Sequence, residues 1–131
     1  MKTEKKYSLP QSERLRGKTR IDNLFANAKG VLSYPYRALF TPNGEEKSVI
    51  MVSIPKRKFK HATDRNLLRR RTREAYRLNK VLLANQTANK GFDIAFLYIG
   101  DKKEEFPYLQ KKMCDLLNKI ATKVKEETEQ E

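Results

Sequence analysis

Between Arg65 and Arg77 the chain reads Arg-Asn-Leu-Leu-Arg-Arg-Arg-Thr-Arg-Glu-Ala-Tyr-Arg, and a helix sorts that pattern into two faces. At ~100° per residue from Leu68, Thr72, Ala75, Tyr76, Leu78, Leu82 and Leu83 fall within about 80° of it. Asn66, Arg69, Arg70, Arg73, Arg77 and Lys80 gather on the opposite side. One stripe can pack on a core while the other shows charge of a single sign. Arg69, Arg73 and Arg77 follow i, i+4, i+8, so like charges stack along one edge at a cost of a few tenths of a kcal/mol per pair. Glu74, as an i+4 partner of Arg70, relieves this only in part. A face that repels itself is best explained by an anion that neutralises it; the plainer alternative is a solvated helix face.

The charge is localised. Lys56 to Lys80 carries eleven Lys/Arg against two acids, and Met1 to Arg20 carries seven against two. The remaining residues balance to within one charge, so the formal +13 of the chain sits in two segments. That is the footprint of a polyanion partner. Arginine dominates the helix, where Lys80 is the only lysine after Lys60. A guanidinium makes forked contacts with phosphate and stacks on bases, which an ammonium does not. The pattern therefore favours nucleic acid over an acidic protein.

Other classes fall away. Cys114 is the only cysteine and His61 the only histidine, which removes an internal disulfide, a Cys-rich zinc site and a His-based catalytic pair. Cys114, between Met113 and Leu116, reads as a buried small hydrophobe. There is no HExxH, CxxC, GxxxxGK[ST] or GxSxG sequence, and Asp22, Asp64, Glu74 and Asp93 have no two-metal spacing. No catalytic residue is expected, and a protein-bound metal is left unassigned. Asp64 reads as favouring the start of the arginine helix, as a cap or through the helix dipole, with Thr63 as the competing cap. His61, in a basic loop, reads as a phosphate or 2′-hydroxyl contact. The charged N-terminus and the lack of a long apolar run predict a soluble, cytoplasmic chain.

The expected fold class is α+β: a single-domain sandwich of a small mixed sheet and helices, in the order α-β-β-α-β-α. A flexible basic arm covers 1–11, one RNA-binding domain covers 12–124, and an acidic C-terminal tail covers 125–131. Ile21 to Ala28 reads as a first helix stopped by Gly30, Tyr34 to Thr41 as a strand, and Lys47 to Ile54 as a second strand. The basic loop Lys56 to His61 leads into the arginine helix, which ends near Leu83 to Asn85. Gly91 to Ile99 is a strand buried on both faces. Leu109, Met113, Leu116, Leu117, Ile120 and Val124 mark a last helix.

Alternation places Tyr34, Tyr36, Ala38 and Phe40 on one face of the first strand, with Arg37 and Leu39 on the other. An aromatic row beside basic residues can stack unpaired bases, at ~1–3 kcal/mol per base. Ordinary core packing by the same rings is the alternative. Phe25, on the first helix, could flank that face.

Together these residues resemble the protein subunit of bacterial ribonuclease P. The resemblance is carried by Arg65-Asn66, Arg69-Arg70 and Arg73-Glu74-Ala75-Tyr76, and by Leu9-Pro10-Gln11-Ser12-Glu13-Arg14-Leu15-Arg16 upstream. Phe25 and Phe40 match aromatics of the family's first helix and first strand. Three positions depart from the family pattern: Leu67 where an Arg is usual, Pro55 where Ser is common, and Ile21 where many members have Phe. The resemblance implies a left-handed βαβ crossover around the arginine helix, against the general right-handed rule. It also implies a ribonucleoprotein endonuclease whose RNA subunit, with Mg2+, removes the 5′ leader of precursor tRNA. Mapped onto this chain, Lys56, Arg57, Lys58, Lys60, His61, Arg65, Asn66, Arg69, Arg70, Arg73 and Arg77 would face RNA. Phe25, Tyr36 and Phe40 would line a leader cleft. The implied partners are the catalytic RNA and precursor tRNA, with no membrane and no obligate protein partner. A ribosomal or other structural RNA-binding protein is the alternative. A DNA reader would need a helix-turn-helix that is absent, and a membrane-surface helix would expose an apolar stripe the core requires.

Overall fold

The computed structural model describes residues 11–130, with side chains described for 12–127. The expected basic arm therefore lies outside the described residues, apart from Gln11. A 3-10 turn, Gln11–Glu13, leads into α1 (Lys18–Asn27), followed by β1 (Lys29–Ser33), β2 (Tyr36–Pro42), β3 (Val49–Ser53), α2 (Ala62–Gln86), β4 (Phe92–Tyr98) and α3 (Phe106–Gln130). The α+β class stands, with one strand more than the sequence reading found. Gly30 does not merely stop α1; it lies inside β1. The two-residue link Tyr34-Pro35 turns β1 back on β2, so that Ser33 pairs with Tyr36 and Lys29 with Phe40. Proline has no N–H to donate, which is why the strand restarts after Pro35 instead of running through it. A Tyr-Pro link lacks the Asn-Gly or Asp-Gly signature that marks a hairpin.

The sheet order is β1-β2-β4-β3. β2 is antiparallel to both β1 and β4, while β3 and β4 are parallel neighbours joined through α2. The crossover thus leaves the basic loop and the start of α2 beyond the C-terminal end of β3. β4 is one of the two interior strands, and its burial on both faces matches its nearly continuous apolar sequence.

The two faces of the sheet differ. Tyr36, Ala38 and Phe40 of β2, Ile50 of β3, and Phe92, Ile94, Phe96 and Tyr98 of β4 join the main core with α2 and α3. From α3 that core receives Leu109, Met113, Leu116, Leu117 and Ile120, all sealed from water and each worth about 1.5–3 kcal/mol of burial. The opposite face carries a smaller cluster under α1, built on Leu15, Leu24, Val49 and Ala95, with Ile21, Leu39, Met51 and Leu97 packed at its margin.

α2 rotates slightly from the expected wheel. Leu68, Thr72, Ala75, Tyr76 and Leu83 are buried as expected, but Leu78 is 46% exposed. At about 80° from Leu68 it lies at the stripe's margin, where only a wider partner could cover it. Neither Thr63 nor Asp64 caps the helix: His61 holds the N-cap position without a side-chain cap, and its carbonyl accepts the N–H groups of Asp64 and Arg65. Asp64 remains in the first turn, where its charge suits the dipole. Cys114 is half-buried, not sealed, with its Sγ donating to Asn79 Oδ1 at 3.2 Å. α3 continues through the acidic segment to Gln130.

Candidate nucleic-acid interface

The basic loop is tied down by its own cations. Arg65 Nη1 donates to the carbonyls of Phe59 (2.8 Å) and Lys60 (2.9 Å), fastening the loop to the first turn of α2. Lys58 Nζ donates to Ile99 O at 2.7 Å. Phe59 is the loop's apolar anchor, edge-on to Tyr98 with ring centroids 5.7 Å apart. Lys56, Arg57, Lys60 and His61 project from this frame and are exposed. Lys103, 39 residues away in sequence, meets Asp64 at 3.1 Å and cancels the one acid at this end of the helix. Nothing in the linear sequence connects those two positions.

Along α2 the cations divide by partner. Asn66 and Arg70 are exposed, and Asn66 Oδ1 accepts from Arg69 at 3.0 Å. Arg73 is partly buried beside Arg14 and Arg69; burial first, then those two like charges, hold its guanidinium below the usual value. Arg77 is bound to Glu74 through two hydrogen bonds, at 3.2 and 3.0 Å, so Glu74 partners the i+3 arginine and not Arg70. Lys80 is paired with Glu13 at 2.7 Å. Arg71 turns toward α3, donating to Glu104 O at 2.6 Å and lying 3.7 Å from Glu105. With Leu67 half-buried and Arg71 so engaged, Arg69 is the cation left beside the departed third position of the arginine motif.

Arg14 is the member that sequence reasoning left out. It bridges to Ile50 at the edge of β3, and the next residue, Leu15, donates its N–H to Ile50 O at 2.7 Å. The segment gives Arg14 to the arginine cluster and Leu15 to the cluster under α1. It therefore links the cationic helix to the other face of the sheet.

That other face is the one α1 covers only in part. Phe25 stands on α1, 46% exposed. Tyr36 and Phe40 do not face it. Tyr36 is fully sealed, its Oη 2.7 Å from Thr72 Oγ1 and its ring edge-on to Tyr98 at 5.7 Å. Phe40 is 2% exposed and edge-on to Phe92 at 6.2 Å. Both belong to the main core, so the expected placement of these two rings in a cleft is corrected: a base cannot stack on a ring with no free face. The opposite rows of the same strands are the accessible ones. Arg37, Leu97 and Ser53 stand in register across β2, β4 and β3, as do Leu39, Ala95 and Met51. Arg37 is exposed, and Leu39, Met51, Ser53 and Leu97 are half-buried. The alternation had separated Arg37 and Leu39 from the aromatics correctly, but it carries no signal for which face the helices cover.

The donor chemistry suits an anion. Among the described residues no group of three or more His, Cys, Asp or Glu side chains comes together as a cation site, and no helix is long and apolar enough to cross a membrane.

A sequence profile of the family described as Ribonuclease P matches residues 9–121. This chain belongs to the ribonuclease P protein family. It is 33% identical to the ribonuclease P protein component of Porphyromonas gingivalis over 123 residues, covering 90% of each chain. It is likewise 33% identical to the ribonuclease P protein component of Thermotoga maritima over 118 residues, covering 86% of this chain and 96% of that one. The fold agrees with the solved ribonuclease P protein from Thermotoga maritima at a TM-score of 0.70 and 28% identity, over 82% of this chain and 96% of the other. The ribonuclease P protein from Staphylococcus aureus shares the fold at a TM-score of 0.68 with 16% identity, over 81% and 93%. Family membership agrees with the cationic surface that α2 and the loop before it present.

Proposed function

We propose that this chain is the protein subunit of a bacterial ribonuclease P. In this reading it binds the catalytic RNA and the 5′ leader of precursor tRNA and promotes endonucleolytic removal of the leader. The observation that carries the reading is the family match over residues 9–121, which includes the arginine helix and the Arg14 segment that meets it. Two elements distant in sequence bring like charges together, and phosphate relieves the repulsion. Binding there releases counterions from the RNA, so affinity should fall steeply with salt.

The roles divide by surface. Lys56, Arg57, Lys58, Lys60, His61, Arg65, Asn66, Arg69, Arg70, Arg73 and Arg77, with Arg14 added, form the face for the catalytic RNA. Arg65 and Lys58 act partly by holding the loop in shape, since their donors are already engaged with backbone carbonyls. The leader runs over the open face of the sheet beside Phe25, along Arg37, Leu39, Met51, Ser53 and Leu97. Phosphodiester hydrolysis is carried by the RNA, with Mg2+ held mainly by the RNA subunit. The domain proper spans 12–124 between a basic arm and an acidic tail, and the protein acts in the cytoplasm.

The test is cleavage of a precursor tRNA at low magnesium by a bacterial ribonuclease P RNA, with and without this protein. Stimulated release of the 5′ leader is expected. Tight, salt-sensitive RNA binding without stimulation would instead indicate a structural RNA-binding protein.

A further inference from the structure

α1 is seated on few contacts. Only Leu24 of its ten residues is buried, and it packs against β2 and β4. Leu24, with Ile21 packed at the margin of the same cluster, is its apolar hold, and so narrow a hold leaves the helix free to pivot. The second fastening is Arg20, in the first turn. Its Nε donates to Asp93 Oδ2 at 2.8 Å and its Nη2 to Asp93 Oδ1 at 2.7 Å. A forked pair fixes direction as well as distance, which a single point contact cannot. Asp93 is buried and sits on β4, on the same face as Ala95 and Leu97.

The receiving end is stiff. Asp93 Oδ1 also accepts from Asn43 Nδ2 at 3.1 Å, and Arg20 Nη2 reaches Glu45 Oε1 at 3.4 Å. Asn43 is held in turn by Lys47 O (3.1 Å) and by the N–H of Glu45 (2.8 Å). The loop carrying these groups lies hard against Gly91, where a Cβ would come 2.5 Å from the carbonyls of Glu45 and Lys47. Phe25 stands five residues beyond Arg20, roughly 7.5 Å along the helix axis.

We propose that the Arg20–Asp93 clamp is a positioning device for leader recognition. It sets the pitch of α1 over the sheet, and with it the gap between Phe25 and the Arg37–Leu97–Ser53 row that a single strand must enter. The proposal rests on the reading of that face as the leader site. Arg20 is a positioning residue: its Nε and Nη2 are engaged by Asp93 and Glu45, and it acts through the helix that bears Phe25.

The experiment uses the full chain assembled with a bacterial ribonuclease P RNA, a precursor tRNA with a long leader, one with a single-nucleotide leader, and mature tRNA. The double variant Arg20→Ala/Asp93→Asn removes the clamp without stranding a buried carboxylate; Arg20→Lys keeps the charge and one donor line. For the double variant the preference for long-leader precursor over mature tRNA should fall roughly tenfold, the scale of losing a charge-assisted hydrogen bond. Affinity for the catalytic RNA and cleavage of the single-nucleotide precursor should stay at the starting level, and Arg20→Lys should recover part of the preference. An unchanged preference, an equal loss on long and short leaders, or unfolding of both variants by circular dichroism would overturn the proposal. If the unsubstituted protein shows no leader preference at all, the cleft reading fails first and the clamp proposal falls with it.

Discussion

Tyr36 Oη and Thr72 Oγ1 lie 2.7 Å apart in a hydrogen bond sealed between β2 and α2. Burial raises the Tyr36 hydroxyl well above the usual phenol value, so it stays a neutral donor or acceptor across the working pH range. Each hydroxyl pairs with the other, and the bond ties the arginine helix to the middle of the sheet. Tyr36→Phe should therefore cost about 1–2 kcal/mol by leaving Thr72 unpaired, read as a lower denaturation midpoint. Leader discrimination should be unaffected. A leader-specific defect in a protein of normal stability would return Tyr36 to the cleft.

Arg69→Ala/Arg73→Ala should weaken binding to the catalytic RNA and reduce the magnitude of the salt slope by about 1–2, as one counterion or less is retained per lost contact. Folding stability should change little, because the lost packing of two stems is offset by relief of the repulsion with Arg14. An unchanged slope in salt titrations of RNA binding would remove these arginines from the interface.

Phe25→Ala should leave thermal stability within about 0.5 kcal/mol of the parent, since the ring is half exposed and little area is recovered by folding. Binding of long-leader precursor should weaken by about 1–3 kcal/mol if a base stacks on the ring, with mature tRNA unaffected. Competition binding with the two RNAs distinguishes this from a general defect.

Arg37→Ala separates the two surfaces. Arg37 is exposed on the open face, so its loss should lower the salt slope by about 1 for long-leader precursor, and by nothing for the catalytic RNA alone. Equal effects on both RNAs would place Arg37 outside the leader path.

Gly91→Ala should destabilise the fold by about 1–3 kcal/mol or more, the cost of forcing an added methyl into packed backbone. Its Cβ would meet the carbonyls of Glu45 and Lys47 at 2.5 Å. Chemical denaturation reads this directly, and a neutral result would mean the loop yields freely.

The sequence alone determined the two-faced arginine helix, the buried strand β4 and the last amphipathic helix, because each is written as a local pattern: a 3.6-residue period in Leu68, Thr72, Ala75 and Tyr76, an apolar run broken only by Asp93 in Phe92–Tyr98. It also carried the polyanion preference, since one-signed charge at that spacing is visible without coordinates. β1 escaped because five residues of weak alternation joined by Tyr34-Pro35 carry little local signal. Only the tertiary structure decided which face of β2 the helices cover, turning Tyr36 and Phe40 inward and leaving Arg37 and Leu39 accessible. It likewise decided that Glu74 takes Arg77, that Arg14 joins Arg69 and Arg73, and that Arg20 finds Asp93. The physical reason is common to all four. Alternation and helical phase fix which side chains share a face, whereas burial and ion pairing depend on what arrives from distant sequence, 36 residues away for Tyr36 with Thr72 and 73 for Arg20 with Asp93, or on a rotamer choice that packing makes.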